Sequence, residues 1–147
     1  ALRLITNKAF SKMKLHDQMV LTPHPGEAAD MLKVSTQEIQ KDRIESAKKL
    51  QKKYNCIIVL KGQGTIICSK KEMYLCASGG PELAVAGTGD ILSGVIGSLI
   101  AQGLAPLDAA IAGVGLHAQA GENFATDVGK IGLAASELIP QIRKLLN

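Results

Sequence analysis

Cys56-Ile-Ile-Val-Leu60 is a continuous run of apolar, mostly β-branched residues. A strand with one wet face alternates apolar and polar residues; an unbroken run reads as a strand covered on both faces, the pattern of a parallel sheet. Upstream, Met19-Val-Leu-Thr22 reads as the end of a second strand. Between them, Ser35 with Glu38 forms a capping-box signature. It opens a helix to about Lys53, with Ile39, Ala47 and Leu50 inward and Lys41, Lys48, Lys49, Lys52 and Lys53 on a solvated face. Strand, helix and strand make a βαβ unit, hence a parallel sheet with a right-handed crossover and an α/β fold.

The flanking segments are shorter. Residues 2–14 read as a surface helix. Pro23 and Pro25 impose an extended turn, and a helix can begin at Glu27, whose charge suits a first turn. Thr65–Cys68 and Glu72–Cys76 read as a hairpin around Ser69-Lys-Lys71. From Thr88 the spacing of Ile91, Leu92, Val95, Ile96, Leu99 and Ile100 marks a helix with a broad apolar stripe. Gly94 and Gly97 within it suggest close packing on a neighbour, and Gly103 suits its end. Pro106 opens a helix through Ala118, and a last helix runs from Leu133 to Leu146. No internal repeat or linker interrupts the chain.

Composition narrows the classes. The 147 residues fit one domain, and 46% apolar content is too high for a disordered chain. The most apolar stretch, Ile91–Ala101, is interrupted by Ser93, Gly94, Gly97 and Ser98 and falls short of a membrane span. Residues 1–14 carry four basic residues without an apolar core, unlike a signal peptide. Cys56, Cys68 and Cys76 match no metal spacing, so buried free thiols and a cytoplasmic setting are expected.

The net charge of +4 is unevenly spread. Residues 1–71 hold 14 Lys/Arg against 6 Asp/Glu, whereas residues 72–129 hold 6 acids, no Lys or Arg, and 11 of the 15 glycines. A cation-free, glycine-rich block with few aromatics is no groove for a nucleic acid. It can still hold one small anion on backbone N–H groups.

Three motifs carry candidate chemistry. Ala86-Gly-Thr-Gly-Asp90 opens the Ile91 helix, and its glycines let successive N–H groups of Gly87, Thr88 and Gly89 point one way. Asp90 either complements the helix dipole or acts as an acid/base beside the anion site. The spacing is neither a phosphate-binding lysine loop nor a dinucleotide fingerprint. Leu60-Lys-Gly-Gln-Gly-Thr65 follows the buried strand, where ligands gather in α/β sheets; read alone it is a glycine-containing hairpin turn, or a loop in which Lys61 meets a phosphate. Thr22-Pro-His-Pro-Gly-Glu27 holds His24 between two prolines, either as a structural group or as a ligand contact. His117 lacks a partner at metal spacing, and His16 reads as exposed.

Together these pieces, with Leu99-Ile-Ala-Gln-Gly103, His117-Ala-Gln-Ala-Gly121 and Gly132-Leu-Ala-Ala-Ser-Glu-Leu-Ile139, resemble the ADP/ATP-dependent NAD(P)H-hydrate dehydratases of the ribokinase-like superfamily. The Gly-Thr-Gly-Asp element is common to many sugar and vitamin kinases; the Thr-Pro-His-Pro-Gly-Glu element is more specific. Gly80-Pro-Glu-Leu83 stands where the family usually has Asn-Pro-Gly-Met. The resemblance implies the C-terminal portion, over residues 1–147, of a three-layer α/β/α domain with a largely parallel sheet, whose N-terminal part lies outside this chain. It implies dehydration of (6S)-hydrated NADH or NADPH at the expense of ADP or ATP, with Mg²⁺. Asp90 would be catalytic. Lys61, Gly62, Gln63, Gly64, Thr65, Gly87, Thr88 and Gly89 would bind the nucleotide. His24 and Asp90 would touch the hydrated nicotinamide. Alternatives are a small-molecule kinase of the same superfamily and an inactive nucleotide-binding fragment. An open sheet edge would favour oligomerisation or association with the missing segment; neither nucleic acid nor membrane is an expected partner.

Overall fold

A computed structural model describes residues 2–6 and 15–147, arranged as two compact units, residues 1–75 and 76–147.

The N-terminal unit is built on a four-stranded sheet in the order β1 (Val20–Leu21), β2 (Ile57–Leu60), β3 (Thr65–Cys68), β4 (Met73–Cys76). β1 pairs with β2 in parallel, Val20 opposite Ile57, as the βαβ reading requires. β2 pairs with β3 antiparallel, Val59 opposite Ile67, so the sheet is mixed and its parallel character is confined to the β1–β2 pair. β2 is buried along its whole length. The β3–β4 turn closes as expected, through Ser69 N–H on the Glu72 carbonyl at 2.8 Å.

Among the described residues seven α-helices accompany these strands: α1 (Leu2–Ile5), α2 (Pro25–Leu32), α3 (Thr36–Lys41) and α4 (Arg43–Tyr54) in the first unit, and α5 (Thr88–Ala101), α6 (Pro106–Asp127) and α7 (Leu138–Leu145) in the second. The helix expected over 2–14 is described at Leu2–Ile5, and residues 7–14 lie outside the described residues. The single helix expected from Ser35 to Lys53 is two. Asp42 leaves the helical region (φ −148°, ψ 87°), and its carboxylate caps α4 by accepting Glu45 N–H at 2.9 Å. Aspartate competes well for such a cap, which outweighs continuing through it. The Ser35–Glu38 capping box forms at the start of α3. Ile39, Ala47 and Leu50 are fully buried against Leu21, Met31, Ile58 and Leu60, and the five lysines are exposed.

The C-terminal unit is helical. α5 packs on α6, and α6 on α7, with Ala120, Phe124, Leu133, Leu138 and Ile142 at the core. α6 extends nine residues past the expected Ala118, because Gly121 and Phe124 continue its buried face. The last helix begins at Leu138, preceded by a 3-10 turn at Ala135–Glu137. Pro140 lacks an N–H and is tolerated only within a first turn, which fixes that start. Gly94 and Gly97 do not pack closely: a Cβ on either would meet open space. The close approaches lie at Gly113, against Ile96, and Gly121, against Leu83. Among the described residues no helix is long and apolar enough to cross a membrane. Cys56 and Cys68 are buried free thiols, and Cys76 is half-buried.

Candidate functional site

His24 follows the end of β1 and caps α2. Its Nδ1 accepts from the N–H groups of Gly26 at 3.1 Å and Glu27 at 3.2 Å, while Glu27 Oε2 accepts His24 N–H at 3.0 Å. This is a capping box with histidine in the serine position, and Pro25 is the first helical residue rather than part of an extended turn. An Nδ1 that accepts twice carries no proton, so the neutral ring's proton sits on Nε2. Nε2 lies 3.5 Å from Glu27 Oε2. The side chain is 51% exposed, leaving Nε2–H as the ring's donor toward a ligand.

The end of β2 is tied to the same turn, since Lys61 N–H donates to the Pro23 carbonyl at 2.9 Å. Here 60–65 does make a hairpin connection into β3, with Gly62 at φ +139° and Gly64 at φ +66°. These angles belong to glycine. Thr65 Oγ1 donates to the Gly62 carbonyl at 3.2 Å and closes the loop. Arg43, the first residue of α4, reaches beneath it. Nη2 donates to the carbonyls of Leu60 at 3.1 Å and Lys61 at 3.3 Å, and Nη1 to that of Gln63. Arg43 Nε is buried without a partner among the described residues, and burial lowers the guanidinium's pKa. Nothing in the spacing singled out Arg43; its first-turn position just after a break in the helix was invisible without the Asp42 cap.

In the second unit, Gly87 caps α5 at φ +91° with no side-chain cap. Asp90 N–H and Ile91 N–H turn back to the Gly87 carbonyl at 3.0 and 3.1 Å, and Thr88 N–H faces the Val85 carbonyl at 3.4 Å. The N–H groups of Gly87 and Gly89 have no acceptor among the described residues. Uncommitted amides at a helix N-terminus favour an anion. Asp90 stands exposed in the first turn.

Two buried groups hold that turn in place. Thr88 Oγ1 lies 2.8 Å from the carbonyls of both Leu83 and Val85, so the hydroxyl is spent inside the loop. His117 Nε2 lies 2.9 Å from the Thr88 carbonyl. A carbonyl only accepts, so Nε2 carries a proton. His117, without a metal partner by spacing, is thus a buried brace from α6 to the start of α5. Glu82 and Glu122 fix the preceding loop by accepting Gly80 N–H at 2.8 Å and Gly79 N–H at 2.9 Å. These residues, with Lys130, line a cavity of about 260 Å³. Among the described residues no group of three or more His, Cys, Asp or Glu side chains can hold a metal ion.

Comparison with known proteins agrees with these motifs. The family model described as NAD(P)H-hydrate dehydratase matches residues 1–144. The bifunctional NAD(P)H-hydrate repair enzyme of Coxiella burnetii is 46% identical over 132 residues, covering 89% of this chain and 27% of that protein. The ADP-dependent (S)-NAD(P)H-hydrate dehydratase of Neisseria meningitidis is 41% identical over 131 residues, 88% of this chain and 44% of that one. A crystal structure of the ADP/ATP-dependent NAD(P)H-hydrate dehydratase of Bacillus subtilis, co-crystallised with ATP/Mg²⁺, superposes with a TM-score of 0.83 at 34% identity. It is matched over 86% of this chain and 46% of that one. A ribokinase-like superfamily protein of Enterococcus faecalis, 23% identical, shares the fold with a TM-score of 0.83 over 99% of this chain and 49% of its own. The chain therefore spans between a quarter and a half of these relatives' lengths. On the match of the family model along nearly its whole length, the chain belongs to the NAD(P)H-hydrate dehydratase family.

Proposed function

We propose that the chain supplies the C-terminal portion of a dehydratase domain that restores hydrated NADH or NADPH at the expense of ADP or ATP. The observation that carries this reading is the start of α5: free N–H groups at Gly87 and Gly89 beside the exposed carboxylate of Asp90, in a block without Lys or Arg. An anion site built from amides alone, with a carboxylate at its rim, suits transfer of a phosphoryl group to a hydroxyl.

The chemistry follows from the substrate. Hydroxide is a poor leaving group, so the C6 hydroxyl of the hydrated ring must first be phosphorylated. Asp90 takes the hydroxyl proton as the oxygen attacks the terminal phosphorus of the nucleotide, and the bond to the leaving phosphate of AMP (from ADP) breaks. The free amides of Gly87 and Gly89 hold the transferred group's oxygens, and that of Thr88 joins them on leaving the Val85 carbonyl. Loss of phosphate from C6, with the ring nitrogen's electron pair assisting and a proton leaving the neighbouring carbon, restores the dihydronicotinamide. Lys61, Gly62, Gln63, Gly64 and Thr65 are assigned to the nucleotide, and His24 Nε2–H to the hydrated nicotinamide.

Mg²⁺ accompanies nucleotide phosphates and commonly binds through them with one or two carboxylates and water. The described residues offer no ligand cluster of their own. Association with a second copy or with the remainder of the domain belongs to the same proposal, as does a cytoplasmic location.

The test is turnover of hydrated NADH with ADP by the protein carrying this chain, beside ATP with candidate alcohols. Appearance of NADH, AMP and phosphate in equal amounts supports dehydration. A phosphorylated alcohol as the stable product supports the kinase reading instead, and nucleotide binding without turnover supports an inactive module.

A further inference from the structure

We propose that Arg43 is a positioning residue for the Lys61–Thr65 loop: it gathers the loop's carbonyl oxygens on one side and so presents the N–H groups of Gly62 and Gly64 to nucleotide phosphate on the other. The inference rests on the nucleotide reading above and adds the residue that shapes the loop.

In a trans peptide, the carbonyl and the following N–H point in opposite directions, and no bond here is cis. Arg43 accepts none of the loop's donors; it donates to the carbonyls of Leu60, Lys61 and Gln63. The N–H groups of Lys61, Gly62 and Gly64 must therefore face away from it. Lys61 N–H does so, reaching the Pro23 carbonyl at 2.9 Å. Those of Gly62 and Gly64 have no acceptor among the described residues. The Gly62 carbonyl is held separately, by Thr65 Oγ1.

Only a guanidinium suits this task. Its donors form a rigid planar fork that can engage several acceptors at once, whereas an ammonium is a compact point donor. The fork is fixed at its root because Arg43 opens a helix that Asp42 caps. At its tip, Gly62 makes room: a Cβ there would stand 3.0 Å from Nη2, and φ +139° disfavours any side chain.

Charge supplies an independent observation. Arg43 is half-buried, and no carboxylate lies within ion-pair distance of it among the described residues. Its Nε–H is buried and unmet. A cation withdrawn from water without a counter-ion is unfavourable. An anion seated on the far side of the loop is the missing counter-charge, and it would meet the two free amides first.

The experiment records amide proton–nitrogen correlation spectra of the protein carrying this chain, with pyrophosphate and then ADP as probes, for wild type, Arg43→Lys and Arg43→Met. In the wild type, both probes should move the Gly62 and Gly64 resonances saturably. In both variants those movements should vanish even where ADP still moves Gly89, and calorimetric ADP affinity should fall by roughly tenfold or more. Retained movement of Gly62 and Gly64 in Arg43→Lys overturns the proposal, because charge alone would then suffice. A wild type that responds at Gly89 but not at Gly62 and Gly64 overturns it while leaving the nucleotide reading intact. No response at either pair removes both. If Arg43→Met fails to fold, Arg43→Lys and the wild-type map decide the matter.

Discussion

Two glycines on α6 receive the same substitution with opposite expected outcomes. A Cβ at Gly115 meets nothing within 4 Å, whereas at Gly121 it would stand 2.7 Å from Leu83 Cγ and 2.8 Å from Cδ2. Glycine to alanine in a helix interior gains about 1 kcal/mol of propensity at either site. Carbon atoms rest at roughly 3.5–4.0 Å, so Gly121→Ala forces Leu83 back by about 1 Å. The contacted atom is the branch carbon of a residue on a 3-10 turn, not the tip of a flexible chain. Overpacking of this kind costs about 1–3 kcal/mol. Gly115→Ala is therefore expected to stabilise by about 1 kcal/mol, and Gly121→Ala to fall about 1–3 kcal/mol below it. For a chain of this size the gap is roughly 3–10 °C in Tm by thermal unfolding followed by circular dichroism. The displacement also reaches the site, since the Leu83 carbonyl accepts Thr88 Oγ1. Gly121→Ala should thus lower turnover and Gly115→Ala should not. Equal Tm gains for the two variants, with unchanged turnover, would refute the packing of Leu83 on α6.

Other expectations follow from single contacts. Asp90→Asn should lower turnover about 10²–10⁴-fold with ADP affinity, by calorimetry, nearly unchanged; a retained rate would remove Asp90 from proton transfer. Thr88→Val keeps the shape but loses the hydroxyl that holds the carbonyls of Leu83 and Val85, and should cost about 1–3 kcal/mol in chemical denaturation. Burial raises the thiol pKa of Cys56 and Cys68 above the ordinary thiol value and shields their sulfurs from reagent, so at mildly alkaline pH both should alkylate more slowly than the better-exposed Cys76, as mass spectrometry of peptides would record. Because those thiols hold their protons more tightly when folded, their contribution to stability is complete below the unfolded thiol pKa and is lost as pH rises through the folded one. Tm should accordingly decline on the alkaline side.

The sequence was most legible where periodicity and burial coincide. β2 was evident because its run of five apolar residues suits only a doubly covered strand, and Ile39, Ala47 and Leu50 fell inward at helical spacing. The break at Asp42 was not, since aspartate tolerates a helix interior in a pattern and reveals its cap only through backbone angles. Gly94 and Gly97 misled because glycine can mark close packing or merely occupy an open face; the crowded positions, Gly113 and Gly121, lay on a helix whose spacing looked ordinary. At the candidate site, the glycines and Asp90 were visible as a motif. The braces were not: Arg43 and His117 act over 17 or more residues of separation, through backbone carbonyls that carry no sequence signature. His24 was singled out for its flanking prolines, but its role as a helix cap depends on Nδ1, which composition does not reveal.

The most direct measurement is the product balance of hydrated NADH incubated with ADP and the protein carrying this chain. The expected result is NADH, AMP and phosphate formed one for one, with none of the three formed by the Asp90→Asn variant at a comparable rate. Consumption of ADP without recovery of NADH, or recovery of NADH independent of ADP, would contradict the assignment.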